Sequence, residues 1–411
     1  MLKKYLYISF AILLFAFQAN AQFRQEGAGM DRSGRPGMNS GPGEDSSKKK
    51  KEPAKRKIPS HIKTWEIGEQ GSAIKKAELD TTLTYYHVYQ PFYQNSISNT
   101  FVGNTGGACL TNDFFRRSYN SDFYFARSFD VYLLTPAQIK YYNTTTPYSV
   151  LDYTQSENKA KHNETRFNFL LTQNVNKKFN YEFIYNQTKS QGQYLNQTNK
   201  FHSIGLATSY LSNNYVSHTN IIFNRLQGQE NGGIDPALPF DSKTETDQIT
   251  TQITDNALNK IQNNNIYTIN EYRLGKTIEA DSAKKIKEKF IPRVGFIHLF
   301  ELSGNKRAFS KEKPGTFFKN IYQDSTKTND STRYTRVTNI FQIKFYEAPD
   351  RKYTFGKRVY IGNDQLWYNF SKATGYFPTK QSNVFIGGGV FRNEGKFWQW
   401  EAEGRIYLTG Y

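Results

Sequence analysis

Six histidines (His61, His87, His162, His202, His218, His298) and one cysteine, Cys109, are the side chains that could hold a metal or attack an electrophile. No pair of histidines has the HExxH or a similar ligand spacing, so each reads as a polar strand-face or loop residue. A single cysteine excludes an internal disulfide framework and a cysteine-based zinc site. The chain carries no GxSxG elbow, Walker A loop or dinucleotide fingerprint. Gly103-Asn104-Thr105-Gly106-Gly107 lacks the lysine and following helix of a phosphate loop, and reads as a tight turn or a chain folded against a wall. No cofactor, no metal and no enzymatic reaction is expected. Charge is the remaining chemistry. Arg116, Arg117 and Arg127 fall in 112–147, a stretch with Pro136 and Pro147 that reads poorly as one strand. Folded inward, those arginines would form a constriction favouring anions; in a loop they would be solvated. Glu401, Glu403 and Arg405 share one strand face. Across a pore they would orient polar solutes, and a packed ion-pair cluster would have the same sequence.

The elements that must position these charges begin with an exported start. Lys3 and Lys4 precede an apolar stretch from Tyr5 to Phe17, and Ala19-Asn20-Ala21 supplies small residues for cleavage between Ala21 and Gln22. Thirteen apolar residues are too few to cross a bilayer of about 30 Å, so 1–21 reads as a signal peptide. Residues 22–63 are rich in Gly, Pro and Lys, with the run Lys48 to Lys51, and could bury almost nothing to offset the entropy of ordering. They read as a disordered basic tail, either solvated or in contact with anionic partners.

The whole chain has 411 residues, a formal charge of +18 and 16% aromatics. Its mean hydropathy is −0.72. It is too aromatic to be disordered throughout and too polar for a helical membrane protein. From about residue 80 the apolar pattern has period two. Phe179, Tyr181, Phe183 and Tyr185 share a face, as do Phe341, Ile343 and Phe345. Near the end, Trp400, Ala402, Gly404, Ile406 and Leu408 oppose Glu401, Glu403, Arg405 and Tyr407. About a dozen strands result, many longer than the 5 to 6 residues usual in globular sheets. Short turns at 176–178, 213–214 and 347–351 alternate with polar stretches at 191–199, 228–263 and 302–332. The connection 275–289 breaks that alternation. Ile249, Ile253, Ala257 and Ile261, spaced by four, predict a short helix. Gly387-Gly388-Gly389 predicts a bend or a close backbone approach. Long alternating strands, unequal loops and abundant aromatics together predict an all-β fold, a transmembrane antiparallel β-barrel over 64–411.

Several segments carry a resemblance: His87-Val88-Tyr89-Gln90-Pro91, Phe101-Val102-Gly103-Asn104-Thr105-Gly106-Gly107, Tyr141-Tyr142-Asn143-Thr144 before Pro147-Tyr148, Gln173 to Lys178, and Glu230-Asn231-Gly232-Gly233-Ile234. In this order they resemble the putative-porin family of Bacteroidetes-type outer membranes, most densely over 64–235. The resemblance implies a large outer-membrane barrel with channel function and supplies no catalytic residues. Members of that family usually continue past a strand like Gly404 to Tyr411, and the residues in phase with Tyr411 are polar. Tyr411 is therefore expected not to be the natural end.

Two functions follow as expectations. One is an outer-membrane porin passing small hydrophilic solutes by diffusion. The other is a non-conducting barrel, plugged by 112–147, that serves as an envelope scaffold. Expected partners are outer-membrane lipid and lipopolysaccharide, the barrel-insertion machinery and small hydrophilic solutes, with no nucleic acid despite the basic charge.

Overall fold

The computed structural model describes residues 62–71, 74–77, 79, 87–94, 96, 98–117, 123–156, 163–237, 249–278, 289–313, 317–318, 326–347, 354–372, 375–393 and 398–409. The segments expected to be a signal peptide, with its cleavage pair Ala21 and Gln22, and a basic tail lie outside the described residues up to residue 61, while Ile62 and Lys63, expected in that tail, belong to a strand.

Two parts are distinct. Residues 62–144 form short pieces: β1 (Ile62–Ile67), β2 (Ile74–Ala77), the one-turn helix α1 (Pro91–Gln94), β3 (Asn99–Phe101), β4 (Cys109–Thr111), 3-10 turns over Tyr124–Tyr132 and Pro136–Gln138, and β5 (Tyr141–Thr144). They make two small sheets, ordered β2-β1-β5 and β3-β4. Residues 148–409 form one antiparallel sheet of eleven strands in strictly sequential order. Its strands are β6 (Tyr148–Gln155), β7 (Glu164–Asn174), β8 (Phe179–Gln191), β9 (Thr198–Leu211), β10 (Tyr215–Gln229), β11 (Ala257–Ile278), β12 (Lys289–Lys311), β13 (Thr328–Phe345), β14 (Gly356–Lys372), β15 (Gly375–Arg392) and β16 (Trp400–Thr409). Its edges, β6 and β16, do not pair with each other among the described residues.

The sheet curls around the short pieces. Side by side in a flat sheet, β9 and β14 would lie about 24 Å apart at the usual spacing of about 4.8 Å. Instead one buried cluster joins Phe92, Phe123 and Phe129 to Phe201 of β9, Leu226, Ile261, Tyr334 and Leu366 of β14. Each strand thus has an inward face, toward 62–144, and an outward face. The outward face is apolar and bare. Phe341, Val359, Ile361 and Ile406 are 58%, 62%, 51% and 66% exposed. A wall of hairpins with greasy residues outside and polar ones inside meets the requirements of a membrane barrel.

Several expectations are corrected here. The wall begins at Tyr148, not 64, and the inward-folded part starts at Ile62 rather than 112. The long connections are shorter than 228–263 and 302–332, because β11 starts at Ala257 and β12 runs to Lys311. Strands of 22 and 23 residues exceed the 9–11 needed to cross a bilayer. At those ends both faces mix polar and apolar residues, Leu258 and Lys260 outward and Ile261 and Asn263 inward, so the alternation that marks a strand disappears from the sequence. The helix expected at 249–261 is absent, and Ala257–Ile261 is strand. A spacing of four is also a multiple of two, so Ala257 and Ile261 simply share the inward face, 0% and 1% exposed. The break at 275–289 contains a bulge: β11 and β12 slip between Leu274 and Gly275, opposite Pro292. Proline cannot donate to the ladder, and a bulge accommodates it.

Candidate channel lining and inner segment

Short polar side chains share the inward face with apolar clusters such as those around Ile222 and Ile340. Asn220, Asn224, Ser203 and Thr172 are fully buried. Three strands are tied by asparagines: Asn224 Nδ2 donates to Asn263 Oδ1 at 2.9 Å, and Asn263 Nδ2 to Asn305 Oδ1 at 2.7 Å. Such amides satisfy one another where they are packed away from water, since an unpaired buried amide costs about 1–3 kcal/mol.

The inner segment is fastened to this face along its length. At the short-turn end, Trp65 Nε1 donates to His218 Nε2 at 3.0 Å, while Tyr141 packs edge-on to the same imidazole. Gln342 Nε2 donates to the Gln70 carbonyl at 2.6 Å. Midway, Leu134 both donates to and accepts from the Asn224 amide, at 3.0 and 2.9 Å. At the other end Glu164 of β7 collects Gln90 Nε2 at 2.9 Å and Thr105 Oγ1 at 2.8 Å. Asn104 Nδ2 reaches Ser190 Oγ at 2.6 Å, and Asn199 Nδ2 reaches Asn104 Oδ1 at 3.0 Å. Gly103 and Gly106 have φ of 77° and 88°, and a Cβ at either would collide with Gln197 or Asn199. The glycine run is therefore a left-handed turn laid on the wall, where other residues would be strained. Two segments that carry the family resemblance, His87–Pro91 and Phe101–Gly107, meet at Glu164 and the strand ends beside it.

Charged side chains gather on the inward face at the short-turn end. Arg358, with a side chain only 1% exposed, lies 2.8 Å from Glu401 and also pairs with Glu403. It reaches them across β15, because Arg358, Gly389 and Glu403 are in register. Tyr360 likewise crosses Gly387 to donate to Glu403. A Cβ at Gly387 would overlap the Tyr360 ring. The three glycines are a close approach, as expected, and what approaches is the Arg358–Tyr360 pair. Arg273 and Glu271 form a second pair at 2.6 Å. A cavity of about 270 Å³ opens beside them, lined by Ile67 and Gly71 of the inner segment and by His218, Lys344 and Tyr346.

Of the residues singled out from sequence, Glu401 and Glu403 are brought together, and as a packed cluster around Arg358. Arg405 sits on the same face, its guanidinium 4.9 Å from the Phe385 ring and its Nη1 donating to Tyr407 at 3.2 Å. Arg116 closes the 3-10 turn Phe114–Arg116, and Arg117 Nε is bound to the Thr111 carbonyl at 3.1 Å, within its own loop. Arg127 lies on the turn whose Ala126 and Phe129 enter the aromatic cluster. Sequence reading missed Arg358, the cation that organises the cluster. Its signal was inward parity on β14 opposite a triple glycine. It also missed His218, whose value lies in accepting the Trp65 proton.

The Putative porin family model matches residues 61–411, from the start of the inner segment through the wall. No curated protein and no solved structure matches the chain. With nearly the whole described structure inside the match, the chain belongs to the Putative porin family.

Proposed function

We propose that this chain is an outer-membrane porin through which small hydrophilic solutes diffuse passively along the polar inward face. The observation that carries the reading is the division of the wall: exposed apolar residues such as Phe341 and Ile361 outward, and every Asp and Glu of its strands, with many Asn, Ser and Thr, inward. Such a lining lowers the cost of moving a hydrated solute across a layer of hydrocarbon without any chemical step. The inner segment occupies part of that path and sets the size of solute that passes.

Its aromatic cluster favours a second reading, a barrel closed by its inner segment that acts as an envelope scaffold. Cys109 separates the two. It is 5% exposed in that cluster, and burial pushes its thiol above the ordinary range, so alkylation needs the segment to move. In planar bilayers, the porin reading expects conductance steps from the full chain while Cys109 resists a maleimide from either side. No steps until Cys109 becomes reactive would instead support the closed barrel.

A further inference from the structure

The outward face is sorted by charge as well as by polarity. Every Asp and Glu of β6–β16, from Asp152 to Glu403, falls on the inward parity. The outward face near the long connections 230–256 and 312–327 instead carries Lys189, Lys200, Arg225, Lys260, Lys306 and Arg333. Outward strand residues at the opposite end hold a thinner set, Lys276, Lys357 and Arg392.

Two pairs of these cations face one another directly. Lys189 is in register with Lys200, Lys200 with Gln227, and Gln227 with Lys260. One row closer to the apolar belt, Lys306 is in register with Arg333. Lys380, one row closer again, lies over the Trp367 ring at 5.9 Å. Like charges directly opposite on a sheet destabilise it. Lys189, Lys200, Lys260, Lys306 and Arg333 make no ion pair with a described carboxylate. An anion seated between them would relieve that repulsion. Its stepwise drift from β8 to β15 is what tilted strands need to hold one depth in a bilayer. That depth is set by the belt: Lys189 is four residues beyond Tyr185 and Lys306 four beyond Leu302. At a rise of about 3.3 Å and a tilt near 40°, that is about 10 Å past the apolar edge, at headgroup level. A polar groove of about 440 Å³ lies there, lined by Lys189, Gln191, Lys200, Gln227, Gln229 and Asn256.

We propose that this outward basic surface binds the phosphate groups of lipid headgroups in the leaflet at the long-loop end. The ammonium groups supply charge, the glutamines and Asn256 supply amide donors, and each phosphate relieves a facing cation pair. The proposal rests on the wall spanning a membrane. The experiment places the full chain in phosphatidylcholine nanodiscs and adds a bisphosphorylated glucosamine glycolipid or the same lipid with its phosphates removed. Retention is read by native mass spectrometry. The phosphorylated form should be retained at least about tenfold better, and K189Q/K200Q/K260Q should remove most of that preference, as the loss of three charge-assisted contacts would. Conductance of the triple variant should match that of the parent chain. Equal retention of the two lipids, or an unchanged preference in the triple variant, would overturn the proposal. So would displacement of the lipid by millimolar inorganic phosphate, which would mark a site for soluble anions. A chain that fails to enter phosphatidylcholine bilayers at all would overturn the membrane reading and this proposal with it.

Discussion

Phe341 and Gln342 are neighbours on β13, yet the phenylalanine is 58% exposed and the glutamine 3%. A water-soluble sheet would reverse those numbers, because hydrophobic burial drives folding in water. Here the buried partner is polar, bonded to the Gln70 carbonyl, and the exposed one is aromatic. The two faces of the wall obey two solvents. Outside, hydrocarbon accepts any apolar side chain, and packing is not needed to hide it. Inside, amides and charges such as Asn224, Gln342 and Arg358 find protein partners, and the inner segment supplies some of them. The outward face can therefore vary in detail at low cost, whereas the inward face is a set of specific pairings.

The largest break in that contrast should come from the inward charges. Replacing Glu401 and Glu403 together by glutamine leaves Arg358 buried without an anion, which costs about 3–5 kcal/mol. The heat-modified gel transition should move sharply downward, while Arg358→Met combined with both replacements should restore much of the loss. Next comes the outward face. Phe341→Lys places a charge against lipid and should cost about 2–3 kcal/mol in equilibrium unfolding from bilayers, whereas Phe341→Leu should be nearly silent. The neighbouring Gln342→Leu reverses the logic, since an apolar gain inside leaves the Gln70 carbonyl unpaired at about 1–2 kcal/mol. Gly387→Val tests the close approach on β15, where a side chain would displace the Tyr360 ring. Overpacking of that kind costs about 1–3 kcal/mol, and pairing it with Tyr360→Ala should recover part of it. Smallest is Trp65→Phe, which keeps the ring against Tyr141 and removes the bond to His218. About 1 kcal/mol is expected, read as faster proteolysis of the inner segment with the wall unaffected.

The wall was legible in the sequence because its outward residues repeat every second position over long runs, as from Phe179 to Tyr185. The alternation fades over 257–265 and 302–311, where each face mixes polar and apolar residues, as Ile261 and Asn263 do inward. The inner segment was harder. Its strands are three to six residues long, and the contacts that hold it join residues far apart, such as Trp65 to His218 and Gln70 to Gln342. Local periodicity carries no trace of such pairings. Inward placement was one of two open readings for 112–147, from two prolines that interrupt a strand, and one of two for the glycine run Gly103 to Gly107. The Glu401–Glu403–Arg405 face was visible, but two readings of it had equal sequence support. The pairs that Glu401 and Glu403 form involve Arg358, which is placed by the register across β15 rather than by its neighbours in the chain.

Single-channel recording of the purified full chain in planar bilayers tests the central claim most directly, with liposome swelling in small and large sugars alongside. Stepwise conductance and swelling that falls off with sugar size are the predicted results. Insertion into the bilayer with neither steps nor swelling would contradict a porin and leave the closed barrel as the function.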